Sequence, residues 1–160
     1  MNISGKTRVC GVIGEPIEHT LSPIMQNAAF QALGLDFVFL AFRVKPAEVE
    51  AAVNGIRALN IRGLNVTMPH KTAIINHLDR VDLSAQIVNS VNTVLNKENL
   101  LFGFNTDGAG AVKALKENGV ELKGRKVLLL GAGGAAGRDG PRSHDADRRA
   151  RPDADVPRVP

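Results

Sequence analysis

Seven consecutive residues, 65–71, place an amide, a hydroxyl and an ammonium group close together in the order Asn-Val-Thr-Met-Pro-His-Lys. Leu64 and Val66 are typical of the end of a buried strand, and Pro69 stops that strand because proline has no N–H to donate. In open α/β sheets, ligands bind at the carboxyl ends of the strands. The segment is therefore either a ligand-binding loop or an ordinary polar turn with Lys71 on the surface.

A pair of hydroxyl residues, Thr20 and Ser22, separates a predicted strand from a predicted helix. Residues 8–13 form a mostly apolar, strand-like run, and Ser22 followed by Pro23 is a typical helix start. A helix N-terminus offers free N–H groups and a positive dipole end to an anion. The two hydroxyls either bind such an anion or cap the helix, and the sequence leaves both alternatives open.

Two further polar residues, Asn92 and Asp107, accompany predicted strands near the middle of the chain. Asn92 lies in a β-rich apolar run, where an amide without partners costs roughly 1–3 kcal/mol. It is therefore either a ligand contact or part of a buried polar network. Asp107 follows the run Gly-Phe-Asn-Thr at 103–106 and precedes a predicted helix, where a carboxylate is also an adequate N-cap.

Hydrophobic spacing and turn residues predict an α/β fold with a mostly parallel, mixed sheet, helices on both faces and one antiparallel hairpin. Strands are expected at 8–13, 37–44, 62–67, 90–95 and 100–104, the last two joined by a turn at 96–99. Helices are expected at 23–33, 46–59 and 108–118, with shorter helical turns at 72–78 and 82–88. Each long helix has an apolar side for packing: Ile24, Met25, Ala28, Ala29, Ala32 and Leu33; Val49, Val53, Ile56 and Leu59; Ala111, Val112 and Leu115.

Composition excludes several classes of protein. With 160 residues, 44% of them apolar, the chain has room for one full domain and the start of another. The formal charge of +4 is modest and Trp and Tyr are absent, so no nucleic-acid partner is expected. No apolar run reaches the length of a membrane span, and no metal site is expected. The single Cys10 excludes an internal disulfide, which agrees with a cytoplasmic location.

A glycine-rich turn follows the predicted strand 126–130. Its sequence, Gly-Ala-Gly-Gly-Ala-Ala at 131–136, has the Gly-x-Gly-x-x-Ala form of a dinucleotide-binding turn in the position such a turn requires. The residues expected to contact a dinucleotide are Gly131, Ala132, Gly133, Gly134 and Ala135. This is the start of a Rossmann domain only.

The apolar helix that should follow this turn is missing from the sequence. Residues 137–160 contain no Leu, Ile, Met or Phe, so they cannot bury enough surface to offset the entropy of ordering. We expect three parts: a domain at 1–119, the first strand and glycine turn of a second domain at 120–136, and a disordered tail at 137–160. The tail is a frame-shifted product, a truncation or a natural end.

The order and spacing of four motifs, at 19–23, 65–71, 91–93 and 103–108, resemble the amino-terminal domain of the shikimate dehydrogenase family. The resemblance covers about residues 7–136, with the glycine turn matching the start of the NADP-binding domain. It implies NADPH-dependent reduction of 3-dehydroshikimate to shikimate, a step in chorismate and aromatic amino-acid biosynthesis. The resemblance also leaves open whether the protein forms a homodimer.

The resemblance implies a role for each candidate residue. Thr20 and Ser22 would hold the substrate carboxylate, although many family members have Ser where this chain has Thr20. The ring hydroxyls would be bound by Asn65, Thr67, Asn92 and Asp107. Lys71 and Asp107 would be the catalytic pair, because hydride addition to a carbonyl leaves charge on oxygen that an ammonium group stabilises or protonates.

Two alternative functions stay open at this point. One is a quinate/shikimate dehydrogenase that uses NAD, and the other is a carboxylate-binding module without chemistry. The rest of the family's cofactor domain has no counterpart after Ala136. We therefore expect this chain alone to be inactive, because half a cofactor site cannot position the nicotinamide against the substrate.

Overall fold

The computed structural model describes residues 2–126, which contain six strands and four α-helices. The predictions on residues 127–160, namely the strand to 130, the cofactor contacts Gly131 to Ala135 and the disordered tail, lie outside this range. The elements are β1 (Arg8–Gly14), α1 (Ser22–Ala32), β2 (Phe37–Arg43), α2 (Val49–Ala58), β3 (Gly63–Val66), β4 (Arg80–Val81), α3 (Leu83–Ile87), β5 (Thr93–Lys97), β6 (Leu100–Phe104) and α4 (Asp107–Glu117). Short 3₁₀ turns at Pro46–Glu48 and Ala73–His77 replace part of the predicted helices.

The six strands form one mixed sheet in the order β2-β1-β3-β5-β6-β4. β1 runs parallel to both β2 and β3, and β4 runs parallel to β6, whereas β5 is antiparallel to β3 and β6. The predicted α/β class with one hairpin is confirmed. Glu98 and Asn99 have positive φ angles of 55° and 65°, as a two-residue hairpin turn requires. β4 was not predicted, because two residues are too few to show a period.

Helices cover both faces of the sheet, as predicted. Successive strand residues point to opposite faces, so Ile13 packs in the larger core with Val53 and Ile56 of α2. Its neighbour Val12 packs in a smaller cluster on the other face, which Phe30 of α1 partly covers. No helix within residues 2–126 is long and apolar enough to cross a membrane.

The predicted packing side of α1 is wrong. Ile24 is 73% exposed, and α1 has no fully buried residue. Asn27 faces the sheet instead: its Oδ1 accepts the N–H of Phe39 at 2.8 Å, and its Nδ2 donates to the Phe39 carbonyl at 2.9 Å. Phe39 lies on β2, an edge strand whose outer backbone groups have no neighbouring strand to bond. Because Asn27 bonds these groups, α1 turns Asn27 toward the sheet and leaves its predicted apolar side exposed.

The predicted burial is also wrong at the C-terminal end of α2 and along α4. Val49, Val53 and Ile56 are buried as predicted, but Leu59 lies beyond the last turn of α2 and is exposed. No residue of α4 is buried, and its apolar positions Ala111, Val112 and Leu115 are exposed within residues 2–126. Periodicity identifies an apolar side but does not establish what covers it.

Candidate active site

The candidate site lies at the carboxyl ends of β1 and β3, which are adjacent in the sheet. Main-chain hydrogen bonds tie the loops after these strands together. The N–H of Thr67 donates to the carbonyl of Ile13 at 3.0 Å, and the N–H of Glu15 donates to the carbonyl of Met68 at 3.1 Å. The hydroxyl loop, residues 15–22, therefore lies against the 65–71 segment.

Lys71 and Asp107 form the ion pair of this site. Lys71 Nζ donates to Asp107 Oδ2 at 2.5 Å, with the lysine side chain only 14% exposed. The Lys71 carbonyl accepts the N–H of Val91 at 2.8 Å, and the N–H of Asp107 donates to Asn105 Oδ1 at 3.0 Å. Both backbones are thus fixed, and the charge-assisted bond joins the two side chains expected to pair.

Asp107 is not the N-cap that the sequence also allowed. It is the first residue of α4, Thr106 precedes it at the cap position, and no side chain caps the helix. The second carboxylate oxygen of Asp107 accepts from Asn92 Nδ2 at 2.6 Å. The carboxylate is therefore directed into the site.

Asn92 is the centre of a buried polar network, one of the two alternatives that the sequence left open. Its side-chain oxygen accepts from the N–H of Thr106 at 3.0 Å and from the Thr93 hydroxyl at 3.0 Å. Its Nδ2 donates to Asp107 at 2.6 Å and to Thr106 Oγ1 at 2.9 Å. Both amide hydrogens have acceptors, so Asn92 can bind a ligand only by exchanging one of these bonds.

Asn65 and Thr67 present polar groups that the described protein leaves largely free. Asn65 Nδ2 lies 3.4 Å from both the Asn92 carbonyl and Thr93 Oγ1, while its side-chain oxygen has no partner within residues 2–126. The Thr67 hydroxyl likewise has no hydrogen bond there. Its methyl group packs so tightly on Gly14 that a Cβ there would lie 2.5 Å away, so only glycine fits that position.

Thr20 and Ser22 lie side by side, with a hydrogen bond of 3.1 Å between their hydroxyls. Thr20 Oγ1 also accepts the N–H of Ser22 at 3.3 Å. Leu21 holds the cap position of α1, and no side chain caps this helix, so the predicted capping by Ser22 does not occur. No hydrogen bond within residues 2–126 joins this pair to the Lys71–Asp107 pair.

Arg43 connects the hydroxyl loop to the end of β2. Its Nε and Nη2 donate to the two carboxylate oxygens of Glu15 at 2.8 and 2.7 Å. These bonds lower the pKa of the Glu15 carboxyl below its ordinary value. The loop that carries Thr20 and Ser22 is therefore anchored twice through Glu15, by its main-chain bond to Met68 and by its side-chain bonds to Arg43.

Sequence reasoning missed three residues that support the site. His70 is 1% exposed, and its Nε2 lies 2.7 Å from the carbonyl of Val44, which must accept, so Nε2 carries the proton and anchors the turn before Lys71. Thr93 and Thr106 both bond Asn92. Their only sequence signal was their position next to a named residue, because strand register and loop path decide which side chains meet.

A mixed α/β sheet that gathers a lysine–carboxylate pair, amides and hydroxyls at its strand ends defines a small-molecule-binding α/β domain. The family model described as the shikimate dehydrogenase substrate binding domain matches residues 12–94, and the chain belongs to this family.

Individual relatives agree with this membership. Shikimate dehydrogenase (NADP(+)) of Geobacter metallireducens is 52% identical over 137 residues, which are 85% of this chain and 48% of the relative. A crystal structure of shikimate dehydrogenase in complex with NADP+ is similar with a TM-score of 0.82 and 46% identity, over 84% of this chain and 47% of that one. A structure of shikimate 5-dehydrogenase from Listeria monocytogenes, in complex with shikimate and NAD, gives a TM-score of 0.80 and 49% identity, over 85% and 47%. The chain spans about half the length of the relatives it matches.

Proposed function

We propose that this chain forms the substrate-binding part of an NADP-dependent shikimate dehydrogenase, which reduces 3-dehydroshikimate to shikimate. The observation that carries the proposal is the Lys71–Asp107 bond of 2.5 Å at the strand ends. The NADP dependence in the names of the relatives supports NADP as the cofactor, although the Listeria structure holds NAD. On this assignment the protein acts in the cytoplasm on a small-molecule substrate, and the homodimer stays a prediction.

The substrate carboxylate would accept hydrogen bonds from the Thr20 and Ser22 hydroxyls, whose protons can rotate from their present partners toward an anion. Asn65 and Thr67 would bind ring hydroxyls through the polar atoms that the protein leaves free. Asn92 and Asp107 would complete this set, with Asn92 exchanging its bond to Thr106.

Lys71 is the group we assign to the carbonyl oxygen. Bound NADPH would supply a hydride to the carbonyl carbon, and the electron pair of the C=O π bond would move to oxygen. The Lys71 ammonium would give that oxygen its proton and recover one from solvent. Asp107 would orient Lys71 and balance its charge in the half-buried site. The expected cofactor contacts, Gly131 to Ala135, lie outside the described residues.

Calorimetric titration of the full chain with shikimate tests the proposal. Lys71→Ala and Asp107→Asn should each weaken shikimate binding by about tenfold or more, because each removes a charge-assisted contact or its orienting partner. Lys97→Ala and Glu117→Gln are matched controls on the exposed surface and should bind as the original chain does. Equal affinity in all five proteins would contradict the assignment, as would the absence of binding to the original chain.

A further inference from the structure

A continuous series of hydrogen bonds runs from Asn65 to Lys71 through side chains of two strands, one helix and the loops next to them. Asn65 Nδ2 lies 3.4 Å from Thr93 Oγ1, which donates to Asn92 Oδ1 at 3.0 Å. Asn92 Nδ2 donates to Asp107 Oδ1 at 2.6 Å, and Lys71 donates to Asp107 Oδ2 at 2.5 Å. Thr93 carries the only hydroxyl group in this series of hydrogen bonds.

The chemistry of the partners fixes the direction of each bond. Asn65 Nδ2 also lies 3.4 Å from the Asn92 carbonyl, an acceptor only, so this atom must be the amide nitrogen. Thr93 therefore accepts from Asn65, and its single proton is available for Asn92 Oδ1. The N–H of Thr106 donates to that same oxygen. If the Asn92 amide were flipped, its NH₂ group would face the N–H of Thr106 and the hydroxyl of Thr93, and its oxygen would face the Asp107 carboxylate. The flipped orientation is therefore unfavourable.

We propose that Thr93 is a positioning residue of this site. Its hydroxyl holds the Asn92 amide in the orientation that presents Asp107 to Lys71, and it also orients Asn65. The expected effect of Thr93 on shikimate binding rests on the proposed function. In the structural alternative, Thr93 is simply a β-branched residue that suits the first position of β5.

Variants at position 93 separate the hydroxyl from the shape. Thr93→Val keeps the β-branch and the volume but removes the hydroxyl, whereas Thr93→Ser keeps the hydroxyl and removes the methyl. The matched control is Thr72→Val, which removes a hydroxyl bonded to the Asn89 carbonyl at 3.1 Å, outside the chain of bonds. If Thr93→Val does not fold, Thr93→Ala serves with the same readout.

The primary readout is the side-chain NH₂ resonances of Asn65 and Asn92 in the ¹⁵N-labelled, ligand-free full chain. Thr93→Val should shift both pairs of signals and speed their hydrogen exchange, while Thr93→Ser and Thr72→Val should leave them in place. Unmoved signals in Thr93→Val, or shifts in Thr93→Ser as large as those in Thr93→Val, would overturn the proposal.

Shikimate affinity is the second readout. Thr93→Val should weaken binding about threefold to tenfold, because it removes the part-buried hydrogen bonds to Asn65 and Asn92, and Thr93→Ser should restore it. An unchanged affinity in Thr93→Val would also overturn the proposal. If the original chain does not bind shikimate, the proposed function fails, and the ligand-free resonances still decide the role of Thr93.

Discussion

Lys71 Nζ lies 2.5 Å from Asp107 Oδ2 although the two residues are 36 positions apart in the chain. The sheet order explains this contact, because β3, β5 and β6 are successive neighbours. Lys71 follows β3, and Asp107 follows β6. The antiparallel hairpin between β5 and β6 returns the end of β6 to the end of β3, so two distant motifs meet at one edge.

Replacing the hydroxyl pair tests where the carboxylate binds. The double substitution Thr20→Val and Ser22→Ala should weaken shikimate binding about tenfold or more, because both removed groups are donors to the anion. It should also abolish the preference for shikimate over its methyl ester, measured by calorimetry. The control pair Ser4→Ala and Thr7→Val removes exposed hydroxyls that precede β1, whereas the hydroxyl loop follows β1; Thr7 Oγ1 accepts the N–H of Ser4 at 3.0 Å and donates to Asp36 at 2.7 Å. A double variant that retains the preference for the free acid would reject this assignment.

The second prediction concerns the attachment of α1 to the sheet. Asn27→Ala should lower the free energy of unfolding by about 2 kcal/mol, because it leaves both backbone groups of the buried Phe39 without their partner. Denaturant unfolding measures this difference. Gln31→Ala, on the exposed side of the same helix, is the control and should change stability little. A loss below about 0.5 kcal/mol in Asn27→Ala would show that these two bonds do not hold the helix.

Ser90 provides a prediction of opposite sign. Its hydroxyl oxygen is buried without a hydrogen-bond partner, the only such side-chain atom within residues 2–126. Ser90→Ala should therefore leave the stability unchanged or raise it by up to about 1 kcal/mol, since an unsatisfied polar group is removed. Ser84→Ala is the matched control: its hydroxyl donates to Asp82, and its loss should destabilise slightly. Destabilisation of Ser90→Ala by more than about 1 kcal/mol would mean that its hydroxyl is satisfied after all.

Asp79 gives the fold an acid-sensitive contribution. Partial burial raises the pKa of its carboxyl, but the N–H of Leu101 and the guanidinium of Arg57 outweigh burial, and the net pKa is lowered. A lowered pKa in the folded state means stability that is present above the ordinary carboxyl pKa of about 4 and is lost as the pH falls through the folded value.

The measurement is urea unfolding of the original chain and Asp79→Asn between pH 6 and pH 2.5. The stability advantage of the original chain should be largest at pH 6 and should shrink below about pH 4. Glu50→Gln, an exposed carboxylate on α2, reports the general effect of losing a negative charge. An advantage that is constant across this range would contradict the role of the ionised Asp79.

The strands and their polar ends were predictable because each depends on local signals. The apolar run of β1, the proline after β3 and the hairpin turn each specify the backbone within a few residues. The candidate residues Lys71 and Asp107 were found from motif spacing, and their pairing needed the sheet order in addition. The binding and catalytic roles assigned to these residues stay predictions.

The errors arose where distant parts of the chain decide the outcome. α1 turns Asn27 rather than its apolar side to the sheet, because two backbone groups of β2 need partners. The role of Thr93 depends on its register opposite Asn65, which no single-strand pattern contains. The only sequence signal of His70 was its position beside Lys71, and the fold brings it to the Val44 carbonyl.

The most direct test of the central claim is an NMR titration of the ¹⁵N-labelled full chain with shikimate. We predict saturable shifts concentrated at Thr20, Ser22, Asn65, Thr67 and Asp107, at the carboxyl ends of β1, β3 and β6, with little change at the opposite end of the sheet around Arg8 and Asn60. No saturable shifts, or shifts concentrated around Arg8 and Asn60, would contradict the claim that this edge of the sheet is a shikimate-binding site.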